Sequence, residues 1–555
     1  MPDGNMQESQ LLETIFTTKI NCNLKRNYER QLEAANRTDR YKQLMDLEER
    51  NRTEFYQLIK QQRNPANTAT SPLLYKTKIY NDDNSICNAW ADYFEELSTP
   101  ISHSDFDGDH EDLVTNDIGT LTTMFENNNV KNLPTITIEE VSNTIVSFKN
   151  GKSPDQEGIS AEHLKYGGPT LISILTIIIN YIFKNLYIPD FLKAGIHVAT
   201  PVLKKKGKQN TDPNSYRKIT VTNLIGKVIE KIHLQHNYSL IMKQQSRLQK
   251  VFTKNEMPIA AALILTELIT EANKTRSPLY VALMNAKKTF DILWHAGLLR
   301  EMYYFGLTGD NWTFFKNLYE DVTSRIKWKG ITARPVLEQQ GVRQGGVWPP
   351  SAHKIFINNL LATFEQNQVG MHLGHIYCGI PTVADDVTLI SSDPYELQAM
   401  LDIQAAYANK QRYILSDQRS TILVFNDNQS KTWQLNSANL TVSASATHLG
   451  IERDSSSSTG TKQVSDNRIT IAPRTVYSMI GAGLHGLNGL NPQVSSHLIQ
   501  IYVLPRLMYG LDVINISGTD IDKLELYYHQ LIKRLQHLPR RTANSTALLL
   551  LGRSQ

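Results

Sequence analysis

From about residue 136 onward, apolar positions switch between the three-to-four-residue spacing of helices and short β-branched runs, which predicts a mixed α/β domain. IEEVSNTIVSFKN has the helical spacing, and LISILTIIINYIF (Leu171 to Phe183) reads as a buried core helix stopped by Pro189. HVATPVLKKKG reads as extended. PLYVALMNAKKTFDIL (Pro278 to Leu293) is an apolar run ending in a polar turn. IYCGIPTVADDVTLISSD (Ile376 to Asp393) sets Asp385 and Asp386 between two apolar runs, the pattern of a strand, a tight acidic turn and a return strand.

The flanks differ. Residues 1 to about 65 are rich in Lys, Arg, Glu and Gln, the composition of a charged helix without a large apolar face. The linker Asn64 to Pro72 ends it, and a second helix, ICNAWADYFEELSTP, leads into an acidic loop with five carboxylates between Asp105 and Asp112. An EF-hand needs Gly at its sixth position and Glu at its twelfth, whereas here Gly108 is fourth and Asn116 twelfth. DSSSSTGT (Asp454 to Thr461) reads as a flexible linker before a helix-rich C-terminal region that runs to Gln555.

Composition adds exclusions. With 555 residues, 41% hydrophobic and 20% charged, the chain is globular in composition. The three cysteines, Cys22, Cys87 and Cys378, form no CxxC, which excludes a disulfide scaffold and a zinc finger and points to a reducing compartment. No basic region precedes an apolar core at the N-terminus, and the longest apolar stretch falls short of the ~20 residues that span a bilayer, so no membrane partner is expected. Charge distribution matters more than the total. The net charge is +4, yet residues 201–250 carry eleven Lys and Arg against two acidic residues, a net of +9. That stretch includes Lys204, Lys205, Lys206, Lys208, Arg217 and Lys218 around Tyr216, which suits a surface tracking phosphates, although a solvated basic face has the same composition.

Two adjacent carboxylates at a hairpin tip repel one another unless a cation sits beside them. Oxygen-only ligation favours Mg²⁺ or Mn²⁺, as in two-metal phosphoryl transfer.

A set of ordered blocks now gives this turn a context: GKSPDQEGISAEHLK (Gly151 to Lys165), NSYRKITVTNLIGKVIEK (Asn214 to Lys231), VALMNAKKTFDILWHAGLL (Val281 to Leu299), GVRQGGVWPP (Gly341 to Pro350), VADDVTLI (Val383 to Ile390), LSDQRSTILVF (Leu415 to Phe425), HLGI (His448 to Ile451) and YVLPRLMYGLDV (Tyr502 to Val513). Together they resemble the reverse transcriptase of jockey-like non-LTR retrotransposons, from about Tyr80 to the C-terminus. The resemblance implies a right-hand polymerase of α/β (α+β) class: fingers over 136–277, palm over 278–453, and a linker with a helical thumb or C-terminal region over 454–555. A charged helical region (1–80) and a helix with an acidic loop (81–135) precede it. The activity implied is RNA-templated DNA synthesis from a 3′-OH primer, consuming dNTPs, with Mg²⁺ or Mn²⁺ as cofactor and with an RNA template and a DNA primer as partners.

The resemblance also implies roles for residues. Asp385 and Asp386 are the expected metal ligands and catalytic carboxylates. Arg217 and the Lys204–Lys208 run, with Lys218, would meet triphosphate and template phosphates. Phe290 lies where the family has an aromatic that closes over the sugar and selects deoxynucleotides; a core aromatic at a strand end fits the local pattern equally. Gln344 and Gly345, with Gly346, would let the backbone approach the nucleotide, which a Cβ would block. Arg419 falls where the family usually has a Lys that protonates pyrophosphate; Arg binds phosphate but is a poorer acid.

Asn285 is the main departure. The family has an Asp there, and an amide supplies one neutral oxygen and no charge. Losing several kcal/mol of charge stabilisation predicts roughly 10³–10⁵ slower chemistry. Asp291 is no obvious replacement, since it lies six positions further on and six residues of strand span up to about 20 Å. Pro349 replaces a Ser, His353 ends an altered segment, and Val251 replaces a Gly before Phe252. The alternative function is therefore a catalytically dead protein that binds RNA or RNA–DNA hybrid. Nothing in residues 1 to 80 is patterned as the endonuclease such elements carry, so an endonuclease in trans, or a fragment of a longer protein, is expected. The family implies an intracellular, nuclear site of action.

Overall fold

The computed structural model describes residues 39, 42–63, 72–127, 133–201, 211–457, 459–461, 464–485 and 489–552. Two compact units form, Ala69–Lys462 and a second made of Met1–Thr68 with Gln463–Gln555. Among the described residues no helix is long and apolar enough to cross a membrane.

The larger unit is built on two sheets. In chain order their strands are β1 (Gly195–Pro201), β2 (Tyr216–Thr222), β3 (Leu279–Asn285), β4 (Thr323–Trp328), β5 (Ile331–Leu337), β6 (Thr382–Val383), β7 (Asp386–Ser391), β8 (Thr421–Phe425) and β9 (Thr441–Val442). A five-stranded sheet has the order β6-β7-β3-β8-β9, and a four-stranded sheet the order β2-β1-β4-β5. The central strand β3 runs antiparallel to both β7 and β8.

Its alternation explains why it is central. Tyr280, Ala282 and Met284 join a core with Leu360, Phe364 and Leu401, from the helices Pro349–Asn367 and Pro394–Lys410. Leu279 and Val281 join a second core with Leu265 and Ile269, from the helix Pro258–Thr275, on the opposite face. Successive side chains of a strand point to opposite faces, so a strand sandwiched between helix layers must be apolar at both parities. The helix Asp83–Ser98 covers the four-stranded sheet through Trp90 and Phe94, which pack with Ile326 and Val336.

Several expectations are corrected. The acidic stretch is the start of a helix, Gly108–Glu126: Asp107 caps it by accepting a hydrogen bond from His110 N, and Asp109 and Glu111 in its first turn complement the helix dipole. The apolar helix spans Gly168–Asn185 and buries only one face; Ile174, Ile177, Ile178 and Tyr181 are exposed. It ends where Leu186 turns left-handed (φ 54°), before Pro189 is reached. The serine run is no loose spacer, since Asp454 N donates to Gly460 O (2.9 Å) and Ser457 Oγ to Thr461 O (2.6 Å). In the second unit, the charged N-terminal helix Arg52–Arg63 does have an apolar side: Phe55 and Ile59, four residues apart, are fully buried.

Candidate active site

The acidic turn is a two-residue hairpin. Val383 pairs with Asp386, leaving Ala384 and Asp385 at the tip, and Ala384 adopts the left-handed conformation (φ 56°) that tight hairpins require. Gln249, buried in an adjacent segment, holds that strained residue. Its Oε1 accepts from Ala384 N (2.9 Å), while Leu248 O accepts from Thr382 N (3.0 Å) and Lys250 N donates to Thr382 O (2.8 Å). The carboxylates are thus carried on a turn pinned from both strands and from the side.

The register of β3 against β7 places Asn285 opposite Asp386. The loop before β8 fixes the Asn285 backbone: its N–H donates to Ser420 Oγ (3.1 Å) and its carbonyl accepts from Ser416 N (2.7 Å). Its side-chain Oδ1 is buried without a hydrogen-bond partner. Burial pushes the Asp385 carboxyl above its ordinary value, while its own backbone amide and the charge of Arg217 pull it back. Asp385 also lines a small cavity with Thr289, His353 and Gln404, in which Thr289 Oγ1, both His353 ring nitrogens and Gln404 Oε1 are buried and unpaired.

Beneath the β3 end, the chain turns over residues 286–292, with Lys288 left-handed (φ 49°). This turn carries Phe290, whose ring stacks on buried His353 (centroids 4.5 Å, planes 11° apart) and meets Phe252 edge-on at 6.3 Å. Burial lowers His353 to about 4, so it stacks as a neutral ring.

The GVRQGG loop is held against the same turn. Gly341 N donates to Leu293 O (2.8 Å) and Val342 N to Phe290 O (2.7 Å). Gly345, at φ 129°, lies so close to β2 that a Cβ would sit 2.2 Å from Thr220 O. Gln344 O accepts from Thr220 N (2.8 Å), and Gln344 Nε2 lies 3.5 Å from Asp291 Oδ1. Buried Arg343 donates to Lys193 O and lies 3.8 Å from Glu230 Oε1. The other oxygen of Glu230 accepts from Val347 N (2.7 Å) and Trp348 N (3.2 Å), which fixes the start of the helix Pro349–Asn367.

Residues 203–452 match the family described as Reverse transcriptase (RNA-dependent DNA polymerase). Over that span the chain is similar to reverse transcriptases. It is 22% identical over 418 residues to the RNA-directed DNA polymerase from mobile element jockey of Drosophila funebris, covering 73% of this chain and 44% of that protein. A probable RNA-directed DNA polymerase from transposon BS of Drosophila melanogaster is 24% identical, over 46% of this chain and 28% of the relative. The Pol polyprotein of a type-1 R2 retrotransposable element of Popillia japonica is 20% identical, over 63% and 50%. The chain therefore spans about half or less of these relatives, and the likeness is to non-LTR retrotransposon polymerases. Among solved structures, apo telomerase from Candida Tropicalis is 15% identical over 51% of this chain and 59% of that one, at a TM-score of 0.34, too loose to carry an argument.

Within the matched span, Asn285, Asp385 and Asp386 come together at the meeting of β3 with the β6–β7 hairpin, and Arg217, exposed on β2, lies within electrostatic reach of Asp385 and Asp291. Phe290, Gln344 and Gly345 sit on the turn and loop just described. Arg419 is exposed on the loop before β8, where its charge acts on Lys288.

Lys218 requires a correction. It points inward from β2, donates from Nζ to Ser98 Oγ (2.8 Å) and lies 3.9 Å from Glu338 Oε2, so it is not available to a nucleic-acid phosphate. Burial alone would raise the Glu338 carboxyl, but Lys218, His197 and Arg343 hold it well below the usual carboxylate range. Lys204, Lys205, Lys206 and Lys208 lie outside the described residues. The spacing argument about Asp291 also fails, because β3 stops at Asn285 and the chain turns instead of continuing extended. Asp291 faces Gln344, and burial raises it to about 6 against the opposing charges of Lys218 and Lys288. Among the described residues no group of three or more His, Cys, Asp or Glu side chains is placed to hold a metal ion. Gln249, Glu230, Arg343 and His353 are the supporting residues that sequence reasoning did not assign. Arg343 lies inside the GVRQGG block, Glu230 inside the Asn214 to Lys231 block and His353 at the end of the altered segment, whereas Gln249 lies in none of the blocks.

Proposed function

We propose that this chain is built for RNA-templated DNA synthesis from a 3′-OH primer, with the five-stranded sheet as palm, the four-stranded sheet in the fingers and the C-terminal helices as thumb, and that its chemistry is slow because Asn285 stands at the first catalytic position. The observation that carries this reading is the Asn285–Asp386 pairing beside the pinned Asp385 turn. An unpaired buried amide oxygen and a carboxylate held in a desolvated place suit a cation between them. Asp385, Asp386 and the Asn285 carbonyl would hold Mg²⁺ or Mn²⁺, which when bound neutralises charge developing on phosphoryl oxygens.

The protein groups supply the rest. Arg217, on the exposed side of β2, would attract the triphosphate toward Asp385, and Arg419 would meet phosphate without serving as an efficient acid. Phe290, braced by His353, would exclude a 2′-hydroxyl by contact with the sugar. Gln344 and Gly345 would present backbone to the nucleotide from a loop locked by Arg343 and Glu230. The Lys204–Lys208 run would follow the template backbone. A nuclear site of action completes the reading by family analogy.

A second reading is favoured by Asn285 itself: a domain that binds RNA or RNA–DNA hybrid without polymerising. Single-nucleotide incorporation opposite each template base, with Mn²⁺ and long incubation, separates the two. Slow addition of only the complementary dNTP, lost in Asp385→Asn, supports the polymerase; binding that is unchanged in Asp385→Asn, with no addition at any base, supports the binding protein.

A further inference from the structure

The helix Gly168–Asn185 is apolar on two sides. Leu175, Ile179, Ile182 and Phe183 enter the core, while Ile174, Ile177, Ile178 and Tyr181 face out at the three- and four-residue spacing of a single stripe. Ile177 is 70% exposed and Tyr181 65%. No charged residue occurs from Gly168 to Phe183. The outward side continues past the helix: after the left-handed Leu186, Tyr187 and Phe191 are exposed while Ile188 and Leu192 are buried. At one edge of the stripe the Asn180 amide accepts from Ile136 N and donates to Ile136 O (2.8 Å each), which lays the start of the helix Ile138–Val146, with exposed Ile138, alongside. Ile174, Ile177, Ile178 and Tyr181 alone expose on the order of 400 Å², the size of the largest apolar patch on an ordinary monomer. With Ile138, Tyr187 and Phe191 the face reaches on the order of 800 Å², which is what each partner of a standard stable interface buries.

We infer that this face pairs with the same face of a second copy of the chain, the two helices antiparallel about a two-fold axis between Ile177 and Ile178. That axis sets Tyr181 against the partner's Ile174 and brings the two Ile177 side chains together, so one apolar set serves both sides, as a two-fold interface requires. The direction follows from charge. Antiparallel pairing sends the two Lys184 side chains to opposite ends, whereas parallel pairing would bring these like charges together. A nucleic acid or an acidic peptide finds no cation on the stripe, and a helix that lies in a lipid surface carries Lys or Arg along its polar side, where this one has only Lys184 at its end. The inference goes beyond the proposed polymerase chemistry and does not depend on it, since a chain unable to polymerise would pair in the same way.

The test is sedimentation velocity of the full chain, without nucleotide or nucleic acid, over about 0.1–100 μM, a range that brackets weak and stable pairs. The expected result is a concentration-dependent species of twice the 63.0 kDa chain mass. Ile177→Glu/Tyr181→Glu is expected to weaken the pair about 10²-fold or more, because each substitution acts in both copies and sets a charge against an apolar partner. Its melting temperature, read where the parent is monomeric, should match the parent's, since both positions are exposed in the single chain. If it melts lower, Ile177→Gln is measured and should weaken the pair about 10-fold. Oxidation of Ile177→Cys should give a reducible cross-linked dimer faster than in the parent, in which Cys87 and Cys378 are buried, and Lys184→Cys should not. A parent that stays monomeric across the range would overturn the inference, as would a dimer that persists in these variants or a cross-link through Lys184→Cys. Capture of the monomer by uncharged phosphatidylcholine vesicles, lost in Ile177→Glu/Tyr181→Glu, would also overturn it by giving the face to a membrane. Failure of nucleotide incorporation leaves a dimer unaffected, and a monomeric parent leaves the polymerase reading standing.

Discussion

Asn285 and Asp386 face each other across the antiparallel pair of β3 and β7, directly opposite in register and therefore on one face of the sheet. A single amide at this position changes both the chemistry and the stability of the turn. Two like charges directly opposite destabilise a strand pair, and an amide opposite a carboxylate does not.

Asn285→Asp is accordingly expected to lower stability in the absence of divalent ions, by about 0.2–1 kcal/mol at low salt. Millimolar Mn²⁺ should reverse the loss, because an ion that binds only the folded state stabilises it by mass action. Thermal melts of parent and variant with EDTA and with Mn²⁺ check this, the expected outcome being a larger Mn²⁺-induced rise in the variant.

Asp291 makes a pH signature. Its folded value of about 6 lies above its ordinary 3.8, so the folded state holds the proton more tightly than the unfolded chain. The corresponding stability is fully present below about pH 4 and is lost as pH rises to 6. Asp291→Asn should remove that slope, flattening the difference between pH 4 and 6 by about 1–3 kcal/mol in denaturant titrations. Glu301, raised to about 7 by burial, contributes a slope of the same sign in both proteins and cancels in the comparison.

The GVRQGG loop depends on buried contacts behind it. Arg343→Ala leaves Glu230 without its cation and should cost about 3–5 kcal/mol. Gly345→Ala drives a Cβ into Thr220 O in a conformation that L residues rarely adopt, and should cost more than about 2 kcal/mol. Both should raise the KM for nucleotide before the fold is lost. Urea unfolding and nucleotide titrations in an incorporating background read the two effects separately.

How far the sequence reveals this site depends on which signals are local. The acidic hairpin was legible because two apolar runs flank two carboxylates within one segment, and the polar turn after β3 because its composition changes abruptly at Asn285. Lys218 was misread because a count of charges carries no direction. On β2 the inward parity holds Lys218, Thr220 and Thr222, while Arg217 and Ile219 point out, and Glu338, the partner that makes this burial tolerable, lies on β5. The roles of Gln249 and His353 are hidden for the same reason: one clamps a turn more than a hundred residues away, and the other is an ordinary helix residue until Phe290 lies across it. The apolar run at Leu171 to Phe183 was too rich in Ile to show by period which face would stay exposed.

The central claim, that one side chain at position 285 separates a polymerase-shaped site from a working one, is tested most directly by primer extension on an RNA template with all four dNTPs in Mg²⁺ and in Mn²⁺, comparing the chain as it stands with Asn285→Asp. The account predicts that the variant extends about 10³-fold or more faster, with Asp385→Asn silent in either background. Equal rates in the two proteins would contradict it, because the charge missing at Asn285 would then be supplied elsewhere.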